Sequence, residues 1–234
     1  MNDEFYIGYA DRAPAGLARF VRRVVIAVAG FTLAICVALL TWQSRFPQKL
    51  FEYGITKSWT GAIVAAPYPT LIGPDGANYL LVAPGKHGFE PGDLAGQSVR
   101  LEGTLIQFGP NRMLEVASPP QPLGPALRNF ASTHEVLGPA TLRGEIVDTK
   151  CHFGVMQPGQ VKVHRSCAAR CIAGGIPPGL LVQESDGSSR VVLLTRADGS
   201  RVNGSSLLRI VGEPVTLSGT LVRTPAGLVL QTNF

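Results

Sequence analysis

No G-x-G-x-x-G turn, Walker loop, H-E-x-x-H helix or G-x-S-x-G elbow occurs in this sequence. Dinucleotide binding, nucleotide hydrolysis, zinc-protease and serine-hydrolase chemistry therefore lack their usual signatures. Charge is also scarce, at 16% of 234 residues, and no pair of carboxylates stands out for acid–base work. An enzyme with its own chemistry is accordingly the minority reading. Aromatic residues are only 7%, too few to furnish a base-stacking platform, which argues against a nucleic-acid partner. With 45% apolar residues the chain is not of the disordered type.

What the chain does have is one long apolar run. Val24 to Trp42 reads VVIAVAGFTLAICVALLTW, 19 residues without a charge. As a helix it would extend roughly 28 Å, close to the hydrocarbon thickness of a bilayer. It shows no polar stripe of the kind a buried soluble helix carries. Arg12, Arg19, Arg22 and Arg23 precede it, so the positive-inside rule places residues 1–23 in the cytoplasm. Arg45, Lys49 and Lys57 follow and weaken that bias without reversing it, and Trp42 and Phe46 suit the outer interface. The run is long for a cleaved signal and no clear A-x-A site follows. The expectation is a signal-anchor of the bacterial inner membrane, single-pass, with the C-terminal region in the periplasm. Cys36 falls within this span as a small apolar side chain.

Beyond a stalk at 43–52, two segments share a pattern. Gly96, Val99, Leu101, Gly103, Thr104 and Leu105 match Gly212, Val215, Leu217, Gly219, Thr220 and Leu221 at the same relative places. Such internal repetition comes before any argument about fold. Apolar residues alternate in each copy, as Val99 and Leu101 do against Ser98, Arg100 and Glu102, which predicts half-buried strands. Gly103 and Gly219 inside those strands predict bends where a small sheet coils. The fold class expected is mainly β: an N-terminal transmembrane helix, then two small OB-like barrels, at 53–118 and 140–234, joined by a Pro/Gly/Ser-rich linker at 119–139.

The copies differ in one respect. Gly61 and Gly103 are 42 positions apart, Gly144 and Gly219 are 75 apart, and most of the excess falls in an insert at 148–182. All cysteines after the apolar run lie there. A loop grafted onto a scaffold is where function tends to reside. Cys151 is followed by His152, then by Met156, His164, Cys167 and Cys171. Ser166 to Ala173 favours a helix, and Gly174-Gly175 with Pro177-Pro178 stops it. Spacings of three and four place 164, 167 and 171 on one helical face.

Three readings compete for this group. One is a structural disulfide, expected in an oxidising compartment, with three cysteines leaving one over. A second is a transition-metal site. Thiolate and imidazole suit copper or zinc, and a Met156 thioether would favour cuprous copper. A third is thiol redox chemistry, with Lys162 and Arg165 tuning Cys167 and Cys171 by stabilising thiolate. Residues 148–183 hold Lys150, Lys162, Arg165 and Arg170 against Asp148 alone, a basic excess that points to an anionic partner. His87 reads as an exposed turn residue and His134 as a solvated linker residue.

The C-x3-C of Cys167 and Cys171 resembles the cysteine pair of Sco-type copper chaperones and of dinuclear copper electron-transfer sites, without the thioredoxin-like surroundings of the chaperones. C-x15-C-x3-C matches neither a zinc finger nor a ferredoxin. The wider pattern K-x-H-R-x-C-A-x-x-C-I-x-G-G-I-P-P, from Lys162 to Pro178, is similar to one in proteobacterial membrane-anchored proteins with no established activity. That resemblance spans most of the exterior and implies no mechanism. The leading expectation is an accessory protein that holds a metal or redox-active thiols for another membrane or periplasmic protein. The alternative is a structural subunit of a membrane complex, stapled by a disulfide.

Overall fold

The computed structural model describes residues 13–43, 49–126, 134–202 and 204–234. Arg12, Arg45, Phe46, half of the expected stalk and the middle of the expected linker lie outside them. The chain divides into two units, Met1–Phe46 and Pro47–Phe234.

In the first unit, helix α1 runs from Ala15 to Gln43. It begins directly after Pro14, which is pre-set for a first helical turn, and continues through Ala- and Leu-rich sequence with no internal proline. At 29 residues it measures roughly 43 Å. It is long and apolar enough to cross a membrane, and none of its residues is buried within the structure. It starts upstream of the uncharged run, so Arg19, Arg22 and Arg23 form its first turns.

The second unit is mainly β. Strands β1 (Lys49–Phe51), β2 (Lys57–Val64), β3 (Thr70–Ile72), β4 (Asn78–Val82), β5 (Gln97–Phe108), β6 (Asn111–Val116) and β7 (Gln121–Pro125) form one sheet. Within it β2, β3, β4, β6 and β5 pair in that order, and β5 returns to β2. Strands β8 (Glu135–Asp148), β9 (Pro178–Gln183), β10 (Ser189–Arg196), β11 (Pro214–Thr224) and β12 (Gly227–Thr232) form a closed barrel. Its order β8–β9–β10–β12–β11 is the same ring. In both rings only the pairing of the third strand with the fifth is parallel. This is the OB-type order. β1 and β7, which fall in the expected stalk and linker, both add to β5.

The registers also agree: Gly61 lies opposite Val99, and Gly144 opposite Val215. In β5, Val99 and Leu101 are buried while Arg100 and Glu102 are exposed, as the alternation requires. The glycines mark the closest backbone approaches. A Cβ on Gly144 would overlap the Leu181 carbonyl oxygen of β9, and one on Gly219 would overlap that of Gln231. Gly144→Ala is therefore expected to destabilise the second barrel by about 2–3 kcal/mol. Urea unfolding of the detergent-solubilised chain checks this, and an unchanged midpoint would refute the close-approach account.

Each ring has its own interior, built on Ile63, Leu81, Val99 and Leu114 in the first and on Ile146, Leu180, Val192 and Leu230 in the second. A third buried cluster joins them. It includes Tyr68, Ile106 and Phe108 from the first ring and Cys151, Phe153 and Cys171 from the insert. Tyr68 Oη donates to the Leu194 carbonyl at 2.5 Å, and Arg201 Nε to that of Pro67 at 3.1 Å. The barrels are thus one packed body, and the insert with helix α2 (Val161–Ala173) lies at their junction.

Candidate metal centre

The centre begins where β8 ends. Asp148 is fully buried, and its Oδ1 accepts the Cys151 backbone N–H at 2.8 Å, which fixes the start of the following turn. Thr149 Oγ1 donates to the Pro177 carbonyl at 2.8 Å, tying that turn to the segment leaving α2. Residues Cys151–Val155 form one wide π-type turn. Helix α2 then presents His164, Ala168, Cys171 and Ile172 to the interior, the face that three-and-four spacing selects. The helix ends at the Gly pair: Gly174 N–H bonds the Arg170 carbonyl, and Gly175 adopts φ 96°, a conformation glycine takes without penalty.

Two groups of potential ligands result, each with its ligand atoms within 4.8 Å of one another: Cys151, His164 and Cys167, and Asp148, Cys151 and Cys171. Cys151 belongs to both. His164 Nε2 lies 3.1 Å from Asp148 Oδ2, both side chains being buried. A carboxylate on one ring nitrogen fixes the imidazole's orientation and tautomer, an arrangement typical of metal-ligating histidine. All three cysteines are free thiols; Cys151 and Cys171 are buried and Cys167 is half-buried.

The charge at the sulfurs comes from the other barrel. Lys86 Nζ lies 2.8 Å from Cys167 Sγ and 3.7 Å from Cys171 Sγ. Its loop is seated on the end of α2: Gly88 N–H donates to the Gly174 carbonyl at 2.8 Å, and a Cβ on Gly174 would overlap the Lys86 carbonyl oxygen. Buried Lys150 holds the loop from the other side, donating to the Ala83 and Gly85 carbonyls at 2.9 and 2.7 Å while pairing with Glu115. The contact with Cys151 holds the Cys171 thiol below its ordinary range, and Lys86 adds to that effect against burial. The same contact pushes Cys151 up, reinforced by burial and by Asp148. The pair is therefore polarised, the proton being held more tightly by Cys151 than by Cys171. Hydrogen bonding to Cys167 in turn raises Lys86.

Other residues singled out in the sequence lie elsewhere. His152 is buried but belongs to neither group, and its ring packs edge-on against Phe108 at 4.9 Å. Successive residues on a helical turn project roughly 100° apart, so a turn that aims Cys151 inward aims His152 away. Met156 is exposed where the turn ends. Lys162 and Arg165 face Glu213, at 3.5 and 3.0 Å, rather than the sulfurs. With Lys150 paired to Glu115 as well, three of the insert's four cations face carboxylates within the fold. His87 and His134 are exposed. Lys86 and Asp148 were missing from the set that spacing suggests. The only sequence signal for Lys86 is its Pro-Gly-Lys-His-Gly turn.

His152 gives the fold a pH dependence. Burial, then the nearby Lys49 charge, lowers it to about 4 from 6.5, and neither ring nitrogen makes a hydrogen bond of ordinary geometry. Between those values the unfolded chain binds the extra proton and the folded chain does not. Stability from this group is whole above about pH 6.5 and falls as pH drops toward 4, by about 3 kcal/mol. Urea midpoints at pH 7, 5.5 and 4.5 should show this slope, and His152→Leu should flatten it.

No family model, curated protein or solved structure matches the chain. Fold and centre together define a class by themselves: two fused OB-type barrels behind a membrane-length helix, with a Cys/His/Asp cluster able to hold a metal at their junction.

Proposed function

We propose that this is an accessory protein anchored in the bacterial inner membrane, with its barrels in the periplasm, holding a soft transition metal, copper or zinc. Cys151, His164, Cys167 and Cys171 are its ligands and Asp148 orients His164. The observation that carries this reading is that three thiols, an imidazole and a carboxylate form two groups at metal-ligand distances, joined at the buried Cys151. Packing alone gives no reason to gather so many ionisable groups there. Thiolate and imidazole donors suit these metals, which such a centre would supply to, or exchange electrons with, a membrane complex. Arg19, Arg22 and Arg23 at the start of α1 support the orientation.

One observation favours a second reading. The polarised Cys151–Cys171 pair beside Lys86 is also what a thiol redox couple requires. A single preparation separates the readings. The full chain is purified from membranes without chelator, and its metal and free thiols are counted. Stoichiometric copper or zinc with protected thiols supports the metal centre. A reversible disulfide without metal supports redox chemistry. One permanent disulfide, no metal and full folding after Cys171→Ser would leave only a structural subunit.

A further inference from the structure

The ammonium of Lys86 is an unusual neighbour for a cation site, because it shares the sulfurs that would bind the ion. Its Nζ is 2.8 Å from Cys167 Sγ, and a metal–sulfur bond is about 2.3 Å. An ion bonded to Cys167 therefore lies no more than about 5 Å from the Lys86 charge as the structure places it. The loop that carries Lys86 is pinned by Gly88 to Gly174 and by Lys150 to the Ala83 and Gly85 carbonyls, which keeps this exposed side chain within reach of the sulfurs.

A fixed positive charge raises the energy of a bound cation in proportion to that cation's own charge. The ligands are the same for either ion, so their attraction for the ammonium is common to both complexes. What differs is the repulsion, which is twice as large for a divalent ion as for a monovalent one. Three sulfur donors with one imidazole suit cuprous copper and zinc alike, so the choice between them falls to the charge beside the ligands.

We propose that Lys86, delivered from the first barrel, makes the centre selective for a monovalent soft ion, cuprous copper, over divalent zinc. The inference rests on the metal reading above and deepens it. Lys86 touches ligand atoms rather than the ion, so it is a positioning and selectivity residue.

The test uses the full chain in detergent, as wild type, Lys86→Met and Lys86→Arg. Anaerobic competition against chromophoric chelators gives the association constants for cuprous copper and for zinc separately. Their ratio is the readout, because loosened folding or altered thiol protonation affects both ions through the same ligands and cancels. The ratio should fall about ten-fold in Lys86→Met, solvent screening at this exposed lysine keeping the effect modest. In Lys86→Arg, which keeps the charge, it should stay within about two-fold of wild type. A ratio that is unchanged or higher in Lys86→Met overturns the selectivity role while leaving the metal centre standing. Failure of wild type to take up either ion in stoichiometric amount overturns both.

Discussion

Cys151→Ser should abolish stoichiometric metal retention, with a fall in affinity beyond about 100-fold, more than loss of an outer partner brings. Cys151 is the one residue common to both groups of potential ligands, so its removal dismantles both at once. A hydroxyl of nearly the same size keeps the space filled, and the second barrel, whose ring does not include residue 151, should still fold. Far-ultraviolet circular dichroism checks the fold, and elemental analysis with chelator competition checks the metal. Cys167→Ser should be milder, since Cys167 sits at the rim and leaves Cys151, Cys171, His164 and Asp148 in place. If Cys151→Ser binds metal as wild type does, the sulfurs do not form one centre and the functional reading fails at its base.

Lys150→Met is the substitution expected to damage the fold most. The Lys150 side chain is 3% exposed, and its ammonium serves Glu115 and two loop carbonyls. Methionine fills the volume but leaves Glu115 and both carbonyls without their cation. Breaking a buried pair in this way costs about 3 kcal/mol, discounted because Glu115 is partly exposed. For a body of this size that corresponds to a fall in Tm of about 10 °C. Adding Glu115→Gln should recover part of the loss by removing the stranded charge, and this recovery distinguishes electrostatics from packing. Equal melting of wild type and Lys150→Met would show that Lys150 is not the latch between barrels. The same substitution frees the loop that carries Lys86, so it should also weaken the centre from a distance.

Residues close in sequence carried most of what was legible beforehand. The apolar run after Arg23 dictates a helix of membrane length. Val99 and Leu101, alternating with Arg100 and Glu102, dictate a strand with one buried face. His164 and Cys171 share a helical face because three and four residues nearly complete turns. Each of these is a matter of backbone periodicity, and periodicity is written locally.

Tertiary contact decided the rest. Lys86 and Cys167 are separated by three strands of the first sheet and the first strand of the second barrel, and no pattern of nearby residues encodes their meeting. Lys162 and Arg165 looked like the cations of the thiols on proximity in sequence, but Glu213 claims them. The stretch expected to hang between two domains contributes strands, and the shared cluster around Phe108, Phe153 and Cys171 fuses the barrels. By itself the sequence determined the helix of membrane length, the two β units and the face of α2 that bears sulfur and imidazole. Only the packed structure decided that Asp148 would orient His164, that His152 would turn away, and that a lysine from the other barrel would cap the sulfurs. The physical reason is that burial of charge and close backbone approach are settled between surfaces, after each element has formed.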